Sequence, residues 1–219
     1  MGINTEEKQI KKAEMIVKLL QEEYFPVKLA LTFSNPIELL VATILSAQCT
    51  DERTNRVTRN LFKKYKNIND YANVDLKRFE EDIRQTGFYK NKAKNIIVTC
   101  QQIIKKFNGK VPQKMEELTS LPGVGRKTAN IVLTFAFGKL EGIAVDTHVR
   151  RLSQRLDLSK NYDPNKIEKD LMAIIPKKDW GIFSSLLMEH GRNICLAKKP
   201  LCKKCIFRNI CPSFGSFTK

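Results

Sequence analysis

Apolar residues recur along this chain at three- and four-residue spacing, punctuated by polar caps and not by alternating runs. Asn35 and Pro36, with Glu38 close behind, read as an N-cap, a proline at the first helical position and a capping-box carboxylate, ahead of the apolar run Leu39 to Leu45. A buried helix is predicted to start there. Asp51 begins a second, with Val57, Leu61 and Tyr65 on one face. Ala93, Ile96, Ile97, Cys100, Ile104 and Phe107 mark another, stopped by Asn108 and Gly109. Asp163 and Pro164 repeat the cap-plus-proline start and lead through Ile167, Leu171 and Ile174 to Pro176. The punctuation predicts about ten helices and no confident strand, so the expected fold class is all-α.

Charge narrows the partners. Thirty-nine Lys and Arg against 23 Asp and Glu leave a formal charge of +16. Such self-repulsion is best offset by a polyanion, with nucleic acid first and an anionic membrane surface second. The apolar run from Leu39 is seven residues, broken by Thr43, against the ~20 needed to span a bilayer, so no membrane-crossing helix is expected. The opening residues MGINTEEKQIKK are charged throughout and lack the apolar core of a secretory signal. That predicts a cytoplasmic, nucleoid-associated protein, in whose reducing surroundings the six cysteines are read as ligands and not as disulfides.

Four of those cysteines, Cys195, Cys202, Cys205 and Cys211, follow the spacing C-x6-C-x2-C-x5-C. Four soft thiolates so close suit zinc or a cubane iron–sulfur cluster, and spacing alone does not decide between them. Residues 191–219 also hold seven Lys or Arg and no Asp or Glu, cations that would offset an anionic cluster. Lys198 and Lys199 lie in a loop closed at both ends by candidate ligands and stiffened by Pro200, a setting for phosphate contact or for charge balance alone.

Leu118 to Ala129 reads as helix, tight hairpin, helix. Gly123 and Gly125 flank Val124, letting the backbone approach a ligand closely, while the amides that open the next helix, from Arg126 on, suit a phosphodiester. Lys127 is then out of place: a cation in a first helical turn beside Arg126, where the positive end of the dipole favours carboxylates. It is either a phosphate-binding lysine or an amine nucleophile for Schiff-base chemistry. Asp146 precedes Val149, Leu152 and Leu156 at helical spacing. It reads as an N-cap, held stiffly enough to stabilise positive charge on an adjacent sugar as well. His148 is assigned a phosphate contact or a supporting role. Cys49 and Cys100 read as packed thiols.

These motifs occur together and in order: Leu-Ser-Ala-Gln-Cys-Thr-Asp (Leu45 to Asp51), Thr-Gly-Phe-Tyr (Thr86 to Tyr89), Leu-Pro-Gly-Val-Gly-Arg-Lys-Thr-Ala-Asn (Leu121 to Asn130), Val-Asp-Thr-His (Val145 to His148) and the four-cysteine tail. From about Pro26 to Cys211 the chain resembles the endonuclease III family of helix-hairpin-helix DNA glycosylases, iron–sulfur type. The resemblance implies a two-domain all-α fold: a six-helix barrel over residues 29–140, and an iron–sulfur cluster domain from residues 1–28 and 141–219. It implies DNA bound across the cleft where Lys127 and Asp146 face each other, and a [4Fe-4S] cluster on Cys195, Cys202, Cys205 and Cys211. It also implies a bifunctional glycosylase and abasic-site lyase, with Lys127 as nucleophile at the sugar C1′ and Asp146 assisting departure of the base. The expected substrate is double-stranded DNA carrying an oxidised pyrimidine or an abasic site, and the expected state a monomer. Gln48 matches the residue that fills the vacated space and Phe88 the wedge in the opposite strand, where many relatives carry leucine. Adenine-specific mismatch glycosylases resemble the chain less: they lack the lysine and place a glutamate in the stretch matching Thr43 to Gln48, where this sequence has no acidic residue.

Overall fold

A computed structural model describes residues 4–216; the outermost three residues predicted for each end of the cluster domain lie outside them. In chain order the helices are α1 (Thr5–Tyr24), α2 (Pro36–Ser46), α3 (Asp51–Lys64), α4 (Ile68–Ala72), α5 (Leu76–Ile83), α6 (Tyr89–Phe107), α7 (Met115–Thr119), α8 (Arg126–Phe137), α9 (Thr147–Arg155), α10 (Pro164–Ile174) and α11 (Trp180–Asn193), with 3₁₀ turns at Arg84–Thr86, Lys177–Asp179 and Cys202–Lys204. No strand occurs among the described residues, and the all-α expectation holds. No helix among them is long and apolar enough to cross a membrane. The chain divides into two compact units, Leu29–Glu141 and a second that joins the chain up to Lys28 to the chain from Gly142 onward.

In the first unit, α2 is the central element, and all seven positions from Leu39 to Leu45 are buried. Its start follows the predicted signal with one change of partner. The Asn35 side chain accepts from the Glu38 N–H at 3.0 Å. The Glu38 carboxylate, expected to return a bond to Asn35, accepts instead from the Ser34 N–H and hydroxyl, both at 2.7 Å. The long α6 packs on α2, α4 and α5. It ends where expected: Asn108 takes a left-handed conformation (φ 51°) and the Gly109 N–H donates to the Ile103 carbonyl at 3.1 Å, which satisfies a carbonyl that the helix leaves over. Tyr65, Tyr71 and Phe79 form an aromatic cluster, with Tyr65 5.2 Å from Tyr71 and 5.4 Å from Phe79 between ring centroids.

The second unit packs α1, α9, α10 and α11 around Ile16, Leu20, Leu152, Leu171, Phe183 and Leu186. Helix α1 presents Ala13, Ile16, Val17 and Leu20 to this core, the spacing of one helical face. The Asp163 side chain accepts from the N–H groups of Asn165 and Lys166, each at 3.0 Å, at the start of α10.

Replacing Asn35 with alanine leaves the Ser34–Glu38 bonds in place and removes the cap on α2 together with a long Asn35 Nδ2 bond to the Ser34 hydroxyl at 3.5 Å. Stability is expected to fall by about 1 kcal/mol, read as a lower urea midpoint at unchanged slope.

Candidate active site

The hairpin of the first unit joins α7 to α8. Leu121 and Val124 are its apolar anchors, both buried, and the Val124 N–H donates to the Leu121 carbonyl at 3.2 Å to close the turn. Gly123 has φ +75°, and a Cβ placed there would lie 2.9 Å from Asn95 Nδ2. The backbone therefore needs glycine for both conformation and space. From α6 the Thr99 hydroxyl donates to the Pro122 carbonyl at 2.8 Å, so α6 props the turn from beneath. Gly125 is the N-cap of α8 and no side chain caps the helix. Its first intrahelical bond runs from Ala129 N–H to Gly125 O at 2.9 Å, leaving the amides of Lys127 and Thr128 ahead of it. Among the residues Gly123 to Arg126 expected at the DNA, the Val124 N–H is the one that closes the turn.

Lys127 occupies the second position of α8 and is exposed. Among the described residues no carboxylate is paired with it. Gln48 follows the end of α2 and Phe88 precedes α6; both are exposed, Phe88 by 64%. Both have positive φ, 53° and 48°. For a bulky non-glycine residue this is a strained conformation, of order 1–3 kcal/mol, that persists only where surrounding structure imposes it. Sequence gave no hint of it. Cys100 is fully buried, its thiol pushed up to about 12 by desolvation; Cys49 is only half-buried.

In the second unit Asp146 is the N-cap of α9, its Oδ1 accepting from the Val149 N–H at 2.8 Å. The preceding segment is tied to α11 by the Ser184 hydroxyl, which donates to the Ala144 carbonyl at 2.7 Å. His148 Nδ1 lies 3.2 Å from Arg151 Nη2. The tautomer decides whether Nδ1 accepts from the guanidinium or donates towards the Gly191 backbone. Burial holds His148 below its ordinary value, reinforced by Arg151 and Arg192 and opposed by Asp146 and a backbone bond at Gly191. Gly191 lets α11 come close: a Cβ there would meet His148 Nδ1 at 2.9 Å and Arg151 Nη2 at 3.1 Å.

All four tail cysteines line one cavity of about 320 Å³, its open mouth included, together with Arg155, Ile194, Pro200, Ser213 and Phe214. Its walls are built from backbone that two arginines of α9 hold. Arg151 donates to the Cys195 carbonyl through Nε at 3.2 Å and Nη2 at 3.0 Å. Arg155 donates to the Leu196 and Ala197 carbonyls at 2.7 and 2.8 Å, and to Cys195 Sγ at 3.3 Å. The Leu201 N–H donates to the Ile194 carbonyl at 2.9 Å, which closes the loop that carries the exposed Lys198 and Lys199. Cys205 Sγ accepts from the Phe207 N–H at 3.4 Å and lies 3.3 Å from His190 Nε2. Burial pushes the Cys205 thiol up to about 11, and repulsion from Cys195, Cys211 and Cys202 adds to it. Four thiolates gathered so closely ionise together only around positive charge. Among the described residues no group of three or more His, Cys, Asp or Glu side chains is set to hold a metal ion as it stands. The donor set is nevertheless that of a thiolate-ligated centre: four soft sulfurs around one space, with N–H groups directed at two of them.

Residues 41–177 match the model of the HhH-GPD superfamily of base excision DNA repair proteins. Endonuclease III of a Synechocystis species is 54% identical over 202 residues, 92% of each chain. The chain belongs to the endonuclease III family. Two solved endonuclease III structures, each 42% identical, superpose closely. One is a non-covalent complex with DNA (TM-score 0.90, covering 94% of this chain and 97% of that one). The other is a trapped covalent intermediate with DNA and an estranged adenine (TM-score 0.91, covering 99% and 100%). As an endonuclease III, this chain is a bifunctional DNA glycosylase and abasic-site lyase of base excision repair, and the family expected from the motifs is the family found.

Gly123→Ala would force a side chain into left-handed backbone and against Asn95. A stability loss of about 1–3 kcal/mol is expected by thermal melting, together with weaker binding to undamaged duplex in fluorescence anisotropy.

Proposed function

We propose that Lys127 is the nucleophile and Asp146 the assisting carboxylate of an enzyme that removes oxidised pyrimidines from double-stranded DNA and nicks the strand 3′ to the abasic site. The observation that carries this is the exposed, carboxylate-free amine at the mouth of a hairpin whose first helical amides have no cap. Exposure and lack of a carboxylate partner leave the amine accessible to a sugar carbon, and its place in the first turn of α8 directly after the hairpin sets it apart from the other surface lysines. Asp146 offers the complement, a carboxylate fixed by its bond to Val149.

The reaction follows from these groups. The damaged nucleotide leaves the stack at a cost of a few kcal/mol, lowered by the damage itself, while Gln48 enters the vacated space and Phe88 parts the opposite strand. The backbone beside the lesion rests on the amides at the start of α8, with Gly123, Gly125 and Arg126 lining the approach. Lys198 and Lys199 hold phosphates elsewhere on the duplex, and His148 contacts or supports a phosphate. The Lys127 amine attacks C1′; the bond from C1′ to the base breaks, and its electron pair departs with the base, which takes up a proton. Asp146 stabilises the positive charge that develops on the sugar and accepts the proton released by the amine. Ring opening leaves a Schiff base between Lys127 and C1′. Loss of a proton from C2′ then expels the 3′ phosphate, and water hydrolyses the imine to restore the lysine.

Cys195, Cys202, Cys205 and Cys211 hold a [4Fe-4S] cluster in this reading. When bound it supplies a rigid cross-link for the loop of Lys198 and Lys199 and takes no part in base excision. The enzyme acts as a monomer in the cytoplasm, on the nucleoid.

Borohydride trapping tests the chemistry. Incubation with abasic-site duplex and borohydride should yield a covalent adduct, absent in Lys127→Gln, whose nicking should fall by about a thousandfold or more while binding to damaged DNA is kept. Asp146→Asn is informative because asparagine caps a helix as well as aspartate does. Its melting temperature should hold while base release slows by about tenfold to a hundredfold. An adduct that still forms in Lys127→Gln would refute the assignment. For the cluster, the isolated protein should be brown with about four irons per chain; colourless protein with stoichiometric zinc would refute that part.

A further inference from the structure

Three lysines lie close together near the start of α6, and they do not share an environment. Lys90 and Lys94 are exposed, whereas Lys92 is 5% exposed. Its Nζ donates to the Leu45 carbonyl at 2.7 Å and to the Thr86 carbonyl at 2.8 Å. Leu45 is in the last turn of α2, three residues before Gln48; Thr86 ends the 3₁₀ turn two residues before Phe88. Both carbonyls stand where intrahelical donors run out and where a cation is favoured.

We infer that Lys92 is a positioning residue that locks the Gln48 loop and the Phe88 loop into a single rigid wedge, so that the two side chains enter the duplex as one unit. The inference rests on the insertion roles assigned above to Gln48 and Phe88.

Three observations converge on it. One ammonium bonds the two loops at once, across 47 and 6 residues of sequence. Both tethered loops hold a non-glycine residue at positive φ, Gln48 (53°) and Phe88 (48°), a backbone that needs an external constraint to persist. Among the described residues no carboxylate neutralises Lys92. Desolvation holds it below its ordinary value, opposed only by Cys49. If filling space were its task, an apolar side chain would do so at lower cost. What the ammonium adds is directional bonding to two carbonyls from different segments.

Rigidity matters here because insertion must offset unstacking. Two loops that move independently would each lose conformational freedom on entering DNA, and a prefixed pair has already lost it during folding.

A double-mutant cycle on the full chain tests this. Lys92→Met keeps much of the volume and removes the donors. It is expected to slow single-turnover release of an oxidised base from duplex DNA by about tenfold or more. It should also abolish the fluorescence rise of 2-aminopurine placed opposite a tetrahydrofuran abasic analogue. Helical circular dichroism should be unchanged and affinity for undamaged duplex within about twofold. In a Gln48→Ala, Phe88→Ala background the same change should alter base release by less than about twofold. Equal losses in both backgrounds would overturn the inference. Should Lys92→Met not fold, Lys92→Leu, which likewise lacks donors, takes its place in the cycle; failure of both to fold would make Lys92 a plain core residue and also overturn it. The underlying reading is separable: if Gln48→Ala with Phe88→Ala leaves base release and fluorescence untouched, the insertion roles themselves fail, whatever Lys92→Met does.

Discussion

A helix leaves amides unsatisfied at its start and carbonyls unsatisfied at its end, and in a chain with no strand among its described residues that constraint falls on every element. The way each end is satisfied organises the molecule. Six helices start on a side chain that accepts from their first turn: α2 on Asn35, α3 on Thr50, α4 on Asn67, α5 on Asp75, α9 on Asp146 and α10 on Asp163. Helices α1, α6, α7, α8 and α11 start without one. Two of these five, α6 and α8, follow Phe88 and the glycine hairpin, the two places where this chain is proposed to meet DNA. Where the protein does not complete its own hydrogen bonding, a ligand can.

The carbonyl ends carry the complementary burden, and here the cations take it up. Lys92 satisfies the ends of α2 and of the neighbouring 3₁₀ turn. Arg151 and Arg155 satisfy the carbonyls of Gly191 in the last turn of α11 and of Cys195, Leu196 and Ala197 beyond it. An excess of +16 is therefore not all surface charge for a polyanion. Part of it is spent inside each unit, fixing loops that carry candidate functional residues. Lys92 bonds the segments next to Gln48 and Phe88 and the two arginines bond the cysteine loop, so in both units cations bonded to backbone tie together the loops that carry candidate residues.

Much of this was legible in the sequence where the signal is local. Asn-Pro and Asp-Pro starts, the Asn-Gly stop and the Asp146 cap use side chains that act within four residues of themselves, and all four appear as expected. The Glu38 carboxylate departs by one residue because Ser34 offers both an N–H and a hydroxyl at 2.7 Å, more than the Asn35 amide alone. The four cysteines were legible by spacing, and the structure brings them to one cavity. What was not legible depends on distant contacts. Nothing in the letters distinguishes Lys92 from Lys90 and Lys94, because its burial is decided by α2 and the 3₁₀ turn packing over it. The left-handed backbone of Gln48 and Phe88 is likewise imposed from outside, against the preference of both residues. The bond from the Val124 N–H to the Leu121 carbonyl was not legible either, because it accompanies the burial of both residues in the core.

On the proposed reading, the position of Lys127 follows from the same constraint. Positive charge at a helix start is unfavourable in isolation, and elsewhere α3 and α4 place carboxylates in that turn. A phosphate lodged on the amides of α8 reverses the sign of the local field, and the cation one position into the helix then becomes favourable. One turn rises only about 5.4 Å, so a phosphate held by those amides brings the sugar bonded to it within a side chain's length of the amine. On this reading the hairpin and the nucleophile form one device: amides that hold the backbone would also set which C1′ the lysine can reach, with no reading of base sequence needed to place it there.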